Sequence, residues 1–269
     1  MIDIHHHLLF GLDDGSPDLD TSVEMAKVAA DDGITHIVCT PHSNDRYVFD
    51  PAVNAERLAQ IREHVGDRIT LGLGCDFHLS FDNIEDVLKT HTKYTINQKQ
   101  YLLVEFADLM IPHSITDTFY EMRIAGIYPI ITHPERNFTI QRHRERMIPW
   151  LREGCLVQIT ASSITGRFGR TAQSIAFDYF DKNWVHFLAT DAHNLTSRVP
   201  IMSEAYKIIE SKYGKETAER VCVTNPGAAF HGTEFPQQPE PLGLYDEQSE
   251  TKSNTNPKKS LFSRLFFSK

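Results

Sequence analysis

Short runs rich in β-branched and other apolar residues alternate along this chain with longer stretches whose apolar positions recur at helical spacing. The alternation repeats about seven times, which is the pattern of βα units built around a parallel sheet or barrel. It predicts strands over 1–5, 34–40, 69–75, 101–106, 128–132, 156–160 and 186–190, and helices over 21–32, 52–65, 114–125, 142–152, 171–182 and 201–213. Thr21-x-x-Glu24 reads as a capping box at the start of the first helix, with Gly33 as its terminator. No repeat of roughly 20–50 residues is visible, which argues against a solenoid.

The pattern changes after His231. Pro236, Pro239, Pro241 and Pro257 occur among many Ser, Gln and Asn, too polar a stretch to fold by itself. The expected organisation is therefore one folded domain over 1–232 and a mostly disordered tail over 233–269. In the tail, five acids from Glu234 to Glu250 precede five bases from Lys252 to Lys269. Near the end, Leu261, Phe262, Leu265 and Phe266 would share one arc of a helix begun at Ser260, although Phe267 breaks the separation. A basic amphipathic segment of this kind suits weak contact with an anionic membrane surface.

Composition narrows the class. With 269 residues, 41% hydrophobic, 23% charged and 10% aromatic, the chain has the make-up of a globular domain. A net charge of −9 has the wrong sign for a nucleic-acid-coating protein, so no nucleic-acid partner is expected. No apolar run reaches the roughly 18–20 residues of a spanning helix, and Asp3 comes too early for a secretory signal. Cys39, Cys75, Cys155 and Cys222 are widely spaced and never form C-x-x-C, which suggests buried thiols and a reducing cytoplasm.

The 14 histidines concentrate where predicted strands end, the place where barrels carry their chemistry. In Asp3-Ile4-His5-His6-His7, period-two alternation puts His5 and His7 on one face with Cα atoms about 6.6 Å apart, close enough to grip one cation. Asp14 follows in Asp13-Asp14-Gly15, where a turn or cap is the commoner role. His42 follows Thr40-Pro41, Asp76 follows Gly74-Cys75, and Glu105 ends Tyr-Leu-Leu-Val-Glu, where a carboxylate at the edge of a buried strand requires a positive partner. His133 and Arg136 lie in Thr132-His133-Pro134-Glu135-Arg136, and Asp191 and His193 flank Ala192. Five or six successive strand ends offering His, Asp or Glu point to a metal centre. The nitrogen and oxygen donors suit two or three borderline cations such as Mn²⁺, Fe or Zn²⁺ better than Ca²⁺, with no cysteine ligand needed.

The motifs D-I-H-H-H, L-D-D-G, T-P-H, I-T-H-P-E-R-N and T-D-A-H-N, in that order from Met1 to about Gly232, resemble the polymerase and histidinol phosphatase (PHP) superfamily. They are most similar to its CpsB/YwqE-type bacterial tyrosine phosphatases. The resemblance implies a distorted (β/α)7 TIM-like barrel with a trinuclear metal centre, Mn²⁺ foremost, at the C-terminal ends of the strands. It also implies hydrolysis of phosphotyrosine on a bacterial tyrosine autokinase that governs capsular or exopolysaccharide assembly, in the cytoplasm or at the inner face of the membrane. Carried across by motif, the first ion takes His5, His7 and Asp191, and shares a bridging carboxylate with the second. The second adds Glu105 and His133, and the third takes Asp14, His42 and His193. The bridge in relatives is usually a glutamate in G-x-E. Here the matching residue is Asp76 in G-C-D-F-H, one methylene shorter, so either the bridge tightens or His78 contributes. Arg136 and Arg198 match the family's phosphate-contacting arginines, and no residue stands out as a general acid. The competing readings are a phosphoesterase for a small metabolite such as histidinol phosphate, a metal-dependent amidohydrolase, and a non-catalytic module that binds a kinase.

Overall fold

The computed structural model describes residues 1–107, 111–112 and 114–245. Its strands are β1 (Ile2–His6), β2 (His36–Cys39), β3 (His42–Ser43), β4 (Thr70–Leu73), β5 (Asp76–His78), β6 (Tyr101–Glu105), β7 (Tyr128–Thr132), β8 (Leu156–Thr160) and β9 (Phe187–Ala189). Its helices are α1 (Leu19–Asp31), α2 (Pro51–Val65), α3 (Phe81–Lys89), α4 (Ile115–Ile124), α5 (Phe138–Arg142), α6 (Met147–Arg152), α7 (Ala161–Ile164), α8 (Gly169–Asp181), α9 (Ser203–Tyr213), α10 (Lys215–Glu219) and α11 (Asn225–His231). The chain is an α/β protein in which the strand pairings are parallel, in the orders β1-β2-β4 and β3-β5-β6-β7-β8-β9.

The division into two sheets has a local cause. Thr40-Pro41 separates β2 from β3 and Gly74-Cys75 separates β4 from β5, and Pro41 has no N–H to give to a ladder. Two bonds still cross the gap, from Gly74 N to Cys39 O at 2.9 Å and from Asp76 N to Pro41 O at 3.2 Å. Two of the predicted strands are thus each interrupted near their ends. At the other edges, β1 and the chain after β9 meet through Asp191 N to His5 O and His7 N to Ala192 O, both 2.9 Å.

Alternate strand residues divide the core. Ile4, Val38, Leu103, Ile130 and Phe187 pack together in one buried cluster, while Ile37, Leu102, Val104, Ile131 and Val157 join the larger cluster with helix residues such as Met25, Phe119, Trp150 and Ile175. Burial on both strand faces explains why these runs are continuously apolar. All four cysteines are buried and free.

Three boundaries differ from expectation. Asp18, not Thr21, caps α1, its carboxylate accepting from Thr21 N at 2.8 Å; the acid at the turn outcompetes the hydroxyl, which becomes part of the first turn. The helix expected over 142–152 is broken into α5, a 3₁₀ turn and α6, with His143 at φ −134°. Pro149 cannot bond back to residue 145, so a new helix starts with the proline in its first turn. Packing also continues past Gly232: Tyr101 Oη donates to Thr233 O at 2.8 Å, Phe235 contacts the rings of Tyr101, His186 and Phe187, Trp184 Nε1 donates to Leu242 O at 2.9 Å, and Leu244 is buried. Aromatic residues at the strands' N-terminal ends give this proline-rich stretch a surface to lie on, although it has no core of its own. The rest of the expected tail, 246–269, with its basic and apolar end, lies outside the described residues. Among the described residues no helix is long and apolar enough to cross a membrane.

Candidate metal centre

The strands' C-terminal ends bring all nine candidate ligands together. Four overlapping groups form, within each of which one donor atom per residue lies within 4.8 Å of the others: His7, Asp14, His42 and His193; His5, His7 and Asp76; His5, His133 and Asp191; and His42, Asp76 and Glu105. Asp76 belongs to two of them and His78, at the far end of β5, to none.

Backbone geometry places several of these groups. His133 and Asp191, each just past a strand, have φ of 33° and 52°, a left-handed conformation that non-glycine residues adopt at a cost of about 1–3 kcal/mol when the surroundings enforce it. The bond from Asp191 N to His5 O and that from His133 N to Gln158 O, both 2.9 Å, are part of that enforcement. Gly15 allows the acidic loop to close, because a Cβ there would stand 2.4 Å from His7 O.

Second partners orient the imidazoles. His5 Nδ1 lies 3.0 Å from Gln158 Oε1, His7 Nδ1 donates to Asp13 Oδ2 at 2.8 Å, and His193 Nδ1 donates to Asp191 O at 2.9 Å. In each ring Nε2 is left for the centre, the arrangement by which protein groups fix the tautomer of a metal-binding histidine. Asp13 and Gln158 were not singled out by motif reasoning. A glutamine inside the buried run Leu-Val-Gln-Ile-Thr was the available signal for the second.

Distances across the centre match shared coordination better than hydrogen bonding. His5 Nε2 lies 3.4 Å from both Asp76 and Asp191, His42 Nδ1 3.2 Å from Asp76, His42 Nε2 3.4 Å from Asp14, and His133 Nε2 3.7 Å from Glu105. Two ligands each about 2.1 Å from a tetrahedral ion are about 3.4 Å apart. Both carboxylate oxygens of Asp76, Oδ1 of Asp191, Nδ1 of His42 and Nε2 of His193 are buried with no hydrogen-bond partner. Orphaned buried donors and acceptors are rare in a native protein unless an ion or water satisfies them. The residues present therefore fit divalent cations.

The charges show the same demand. Burial opposes ionisation of Asp76 and Asp191, yet neighbouring imidazoles, with Arg198 and Arg136 at Asp191, hold both carboxyls well below the usual range. Burial also opposes protonation of His5 and His42, but Asp191 and Asp76 raise the first to about 9, and Asp14 and Asp76 raise the second to about 11. Burial and the Asp76 charge push Glu105 up to about 8. Without cations, protons take the place of positive charge among these acids.

Arg136 Nη1 and Arg198 Nη2 both donate to Asp191 Oδ2, while the other oxygen of Asp191 faces His5 and His7 at 3.4 Å. Phe168 lies against Arg136, with its ring centre 4.3 Å from the guanidinium carbon. Arg198 is placed by a turn in which Asn194 Oδ1 accepts from the backbone of Thr196, Ser197 and Arg198. A cleft of about 270 Å³ opens beside the centre, lined by Glu105, Phe106, Thr132, His133, Arg136 and Asn137.

Comparison with known proteins agrees with this geometry. The family described as capsular polysaccharide synthesis, CpsB/CapC, matches residues 1–231. The tyrosine-protein phosphatase YwqE of Bacillus subtilis is 31% identical over 246 residues, covering 90% of this chain and 96% of its own length. The tyrosine-protein phosphatase CpsB of Streptococcus pneumoniae is 30% identical over 235 residues, covering 84% and 96%. The crystal structures of YwqE and CpsB, described as unique metal-dependent tyrosine phosphatases, include a chain that superposes with a TM-score of 0.83 at 29% identity, over 90% of this chain and 99% of that one.

Proposed function

The chain belongs to the CpsB/CapC family of capsular polysaccharide synthesis, and from that premise we propose that it is a metal-dependent protein-tyrosine phosphatase. Its substrate in this reading is a phosphotyrosine-bearing bacterial tyrosine kinase that governs capsule or exopolysaccharide assembly. The observation that carries the proposal is the convergence of nine imidazoles and carboxylates, all but the exposed Asp14 buried or half-buried and several with orphaned atoms, beside two arginines.

In this account the two sheets work as one distorted (β/α)7 barrel, joined where Pro41 and Gly74 interrupt the strands and where β1 meets the chain after β9. Three divalent ions fit the donor set, with Mn²⁺ foremost and Fe or Zn²⁺ within the same chemistry. His5, His7 and Asp191 would hold one, Glu105 and His133 a second, and Asp14, His42 and His193 a third, with Asp76 shared between the first two. When bound, such ions supply Lewis acidity and bring the pKa of a water toward neutrality.

The chain's own groups do the rest. A phosphate monoester presents non-bridging oxygens that gain from planar, multidentate donors, and Arg136 and Arg198 offer these. Asp191 aims both guanidinium groups, and Arg198 Nε is buried without a partner, ready for an acceptor. Phe168 restricts the swing of Arg136. A phenolate leaves with a pKa near 10, well below an alkyl alcohol, so hydrolysis of phosphotyrosine needs no strong general acid. The enzyme would act in the cytoplasm, and the basic, Phe-rich end of the chain would give it weak contact with the inner membrane surface.

A substrate panel tests the proposal. With Mn²⁺ present, kcat/KM for a phosphotyrosine peptide should exceed that for a phosphoserine peptide and for histidinol phosphate by a large factor. Equal or inverted preference would indicate a metabolite phosphoesterase, and no turnover of any of the three would indicate a binding module.

A further inference from the structure

Arginine is concentrated in one part of this acidic chain. Residues 136–170 contain seven arginines, no lysine, and only two acids, the exposed Glu145 and the half-buried Glu153, a local balance of +5 from these residues in a chain of net charge −9. The stretch leaves β7, passes through α5, α6, β8 and α7, and enters α8. Its loops therefore flank the metal centre on one side.

The arginine-rich stretch begins at the centre. Arg136, on Asp191, marks its inner end, and the Phe168 ring covers that guanidinium. Two residues later, Arg170 is exposed in the first turn of α8 and lines an open groove of about 630 Å³ together with Arg144, Gln173, Ser174 and Phe177. Arg142, on α5 where it packs against α8, is exposed and lies across the Phe138 ring at 3.9 Å. Among the described residues no carboxylate comes within 4.0 Å of Arg142 or Arg170, whereas the exposed Arg167 is paired with Glu204 at 2.9 Å. The two acids on the groove, Asp178 and Asp181, are already engaged, the first by Lys182 at 2.9 Å and the second by Tyr213 Oη at 2.7 Å.

We infer that this flank is a docking surface for an acidic segment of the phosphotyrosine substrate, with Arg142 and Arg170 supplying the unpaired charges. The inference rests on the phosphatase reading and specifies which phosphotyrosine sequences the enzyme takes. The positive face selects against basic segments, which match the protein's overall charge but not this surface. Arg142 is stiffened by its aromatic neighbour, so less side-chain freedom is lost when a carboxylate is gripped. Charges at a rim act chiefly on association, so their effect falls as salt screens them.

The test uses the full-length, Mn²⁺-loaded protein and two phosphotyrosine peptides of equal length, one flanked by Asp and Glu and the other by Asn and Gln. At low salt the wild type should favour the acidic peptide in kcat/KM by about tenfold, and the ratio should shrink toward unity in 0.5 M salt. In Arg142→Ala/Arg170→Ala the low-salt ratio should fall to about twofold. Equal kcat/KM for the two peptides in the wild type overturns the docking surface, as does a preference that survives in the double variant. Turnover of p-nitrophenyl phosphate reports the parent activity separately, since its absence in the wild type overturns the phosphatase reading itself.

Discussion

Asp13 Oδ2 accepts a hydrogen bond from Nδ1 of His7 at 2.8 Å, and the same oxygen takes the backbone N–H of His42 at 3.1 Å. One carboxylate thus sets the ring of one candidate metal-binding histidine and the backbone position of another, without belonging to any of the candidate ligand groups. Next to it, Gly15 N donates to Oδ1 at 2.9 Å, so the loop is closed around this residue.

Removing that support should weaken the centre while leaving its ligands in place. Asp13→Ala should lower the affinity for Mn²⁺ by about 10–100-fold, the usual scale for an outer partner of a ligand histidine. Competition with a coloured chelator measures it. Unchanged affinity would show that the centre does not depend on the orientation of His7.

Ion binding should release protons. His5 and His42, raised to about 9 and about 11, carry protons at pH 7.5 when no cation is present, and so does part of Glu105, raised to about 8. Ligation requires neutral imidazole and ionised carboxylate, so those protons must leave and the apparent affinity must rise with pH between 7 and 9. Calorimetric titration with Mn²⁺ in buffers of different ionisation enthalpy should show release of one or more protons. Heats independent of the buffer would contradict this.

Asp76 and His78 can be separated directly. Asp76 is buried, shared by two ligand groups and short of partners at both oxygens, so Asp76→Asn should reduce bound metal as well as the rate. His78→Ala should leave the metal content near that of the wild type. Elemental analysis of the two purified variants decides between them, and the reverse pattern would give the bridging place to His78.

A second histidine effect lies at the other end of the strands. Burial, with a smaller contribution from Arg220, lowers His186 to about 3, and its Nδ1 accepts from Val157 N at 3.1 Å. Its folded-state pKa is below the unfolded value near 6.5, so its contribution is complete above pH 6.5 and is lost as the pH falls toward 3. Because the ring keeps partial exposure, His186→Gln should lose about 2 kcal/mol less stability than the wild type between pH 6.5 and 4. Urea midpoints of the chelator-treated proteins measure the difference, and parallel pH profiles would refute it.

The βα alternation was legible because strands covered on both sides read as continuous apolar runs, and all seven strand positions need no more than boundary shifts of a few residues or an interruption near the end. Strand ends such as those at His42 and Asp76 were legible as parts of the cluster because charged residues directly after apolar runs need partners. The capping of α1 by Asp18 and the break before Pro149 were less legible, since both depend on competition between neighbouring residues for the same backbone groups. Asp13 and Gln158 were missed for a different reason: they touch His7 and His5 from outside the cluster, and only the folded chain brings residue 158 to residue 5. The stretch after Gly232 packs by contacts with Tyr101, Trp184 and Phe187, which are distant in sequence.

The most direct test of the metal-dependent phosphatase is a titration of Mn²⁺ into chelator-stripped protein, with initial rates on a phosphotyrosine peptide recorded at each addition. The account predicts negligible turnover in the stripped protein and recovery that reaches its plateau near three ions per chain, with Asp191→Ala remaining inactive throughout. Full turnover in the stripped protein, or a rate indifferent to added Mn²⁺, Fe²⁺ and Zn²⁺, would contradict it.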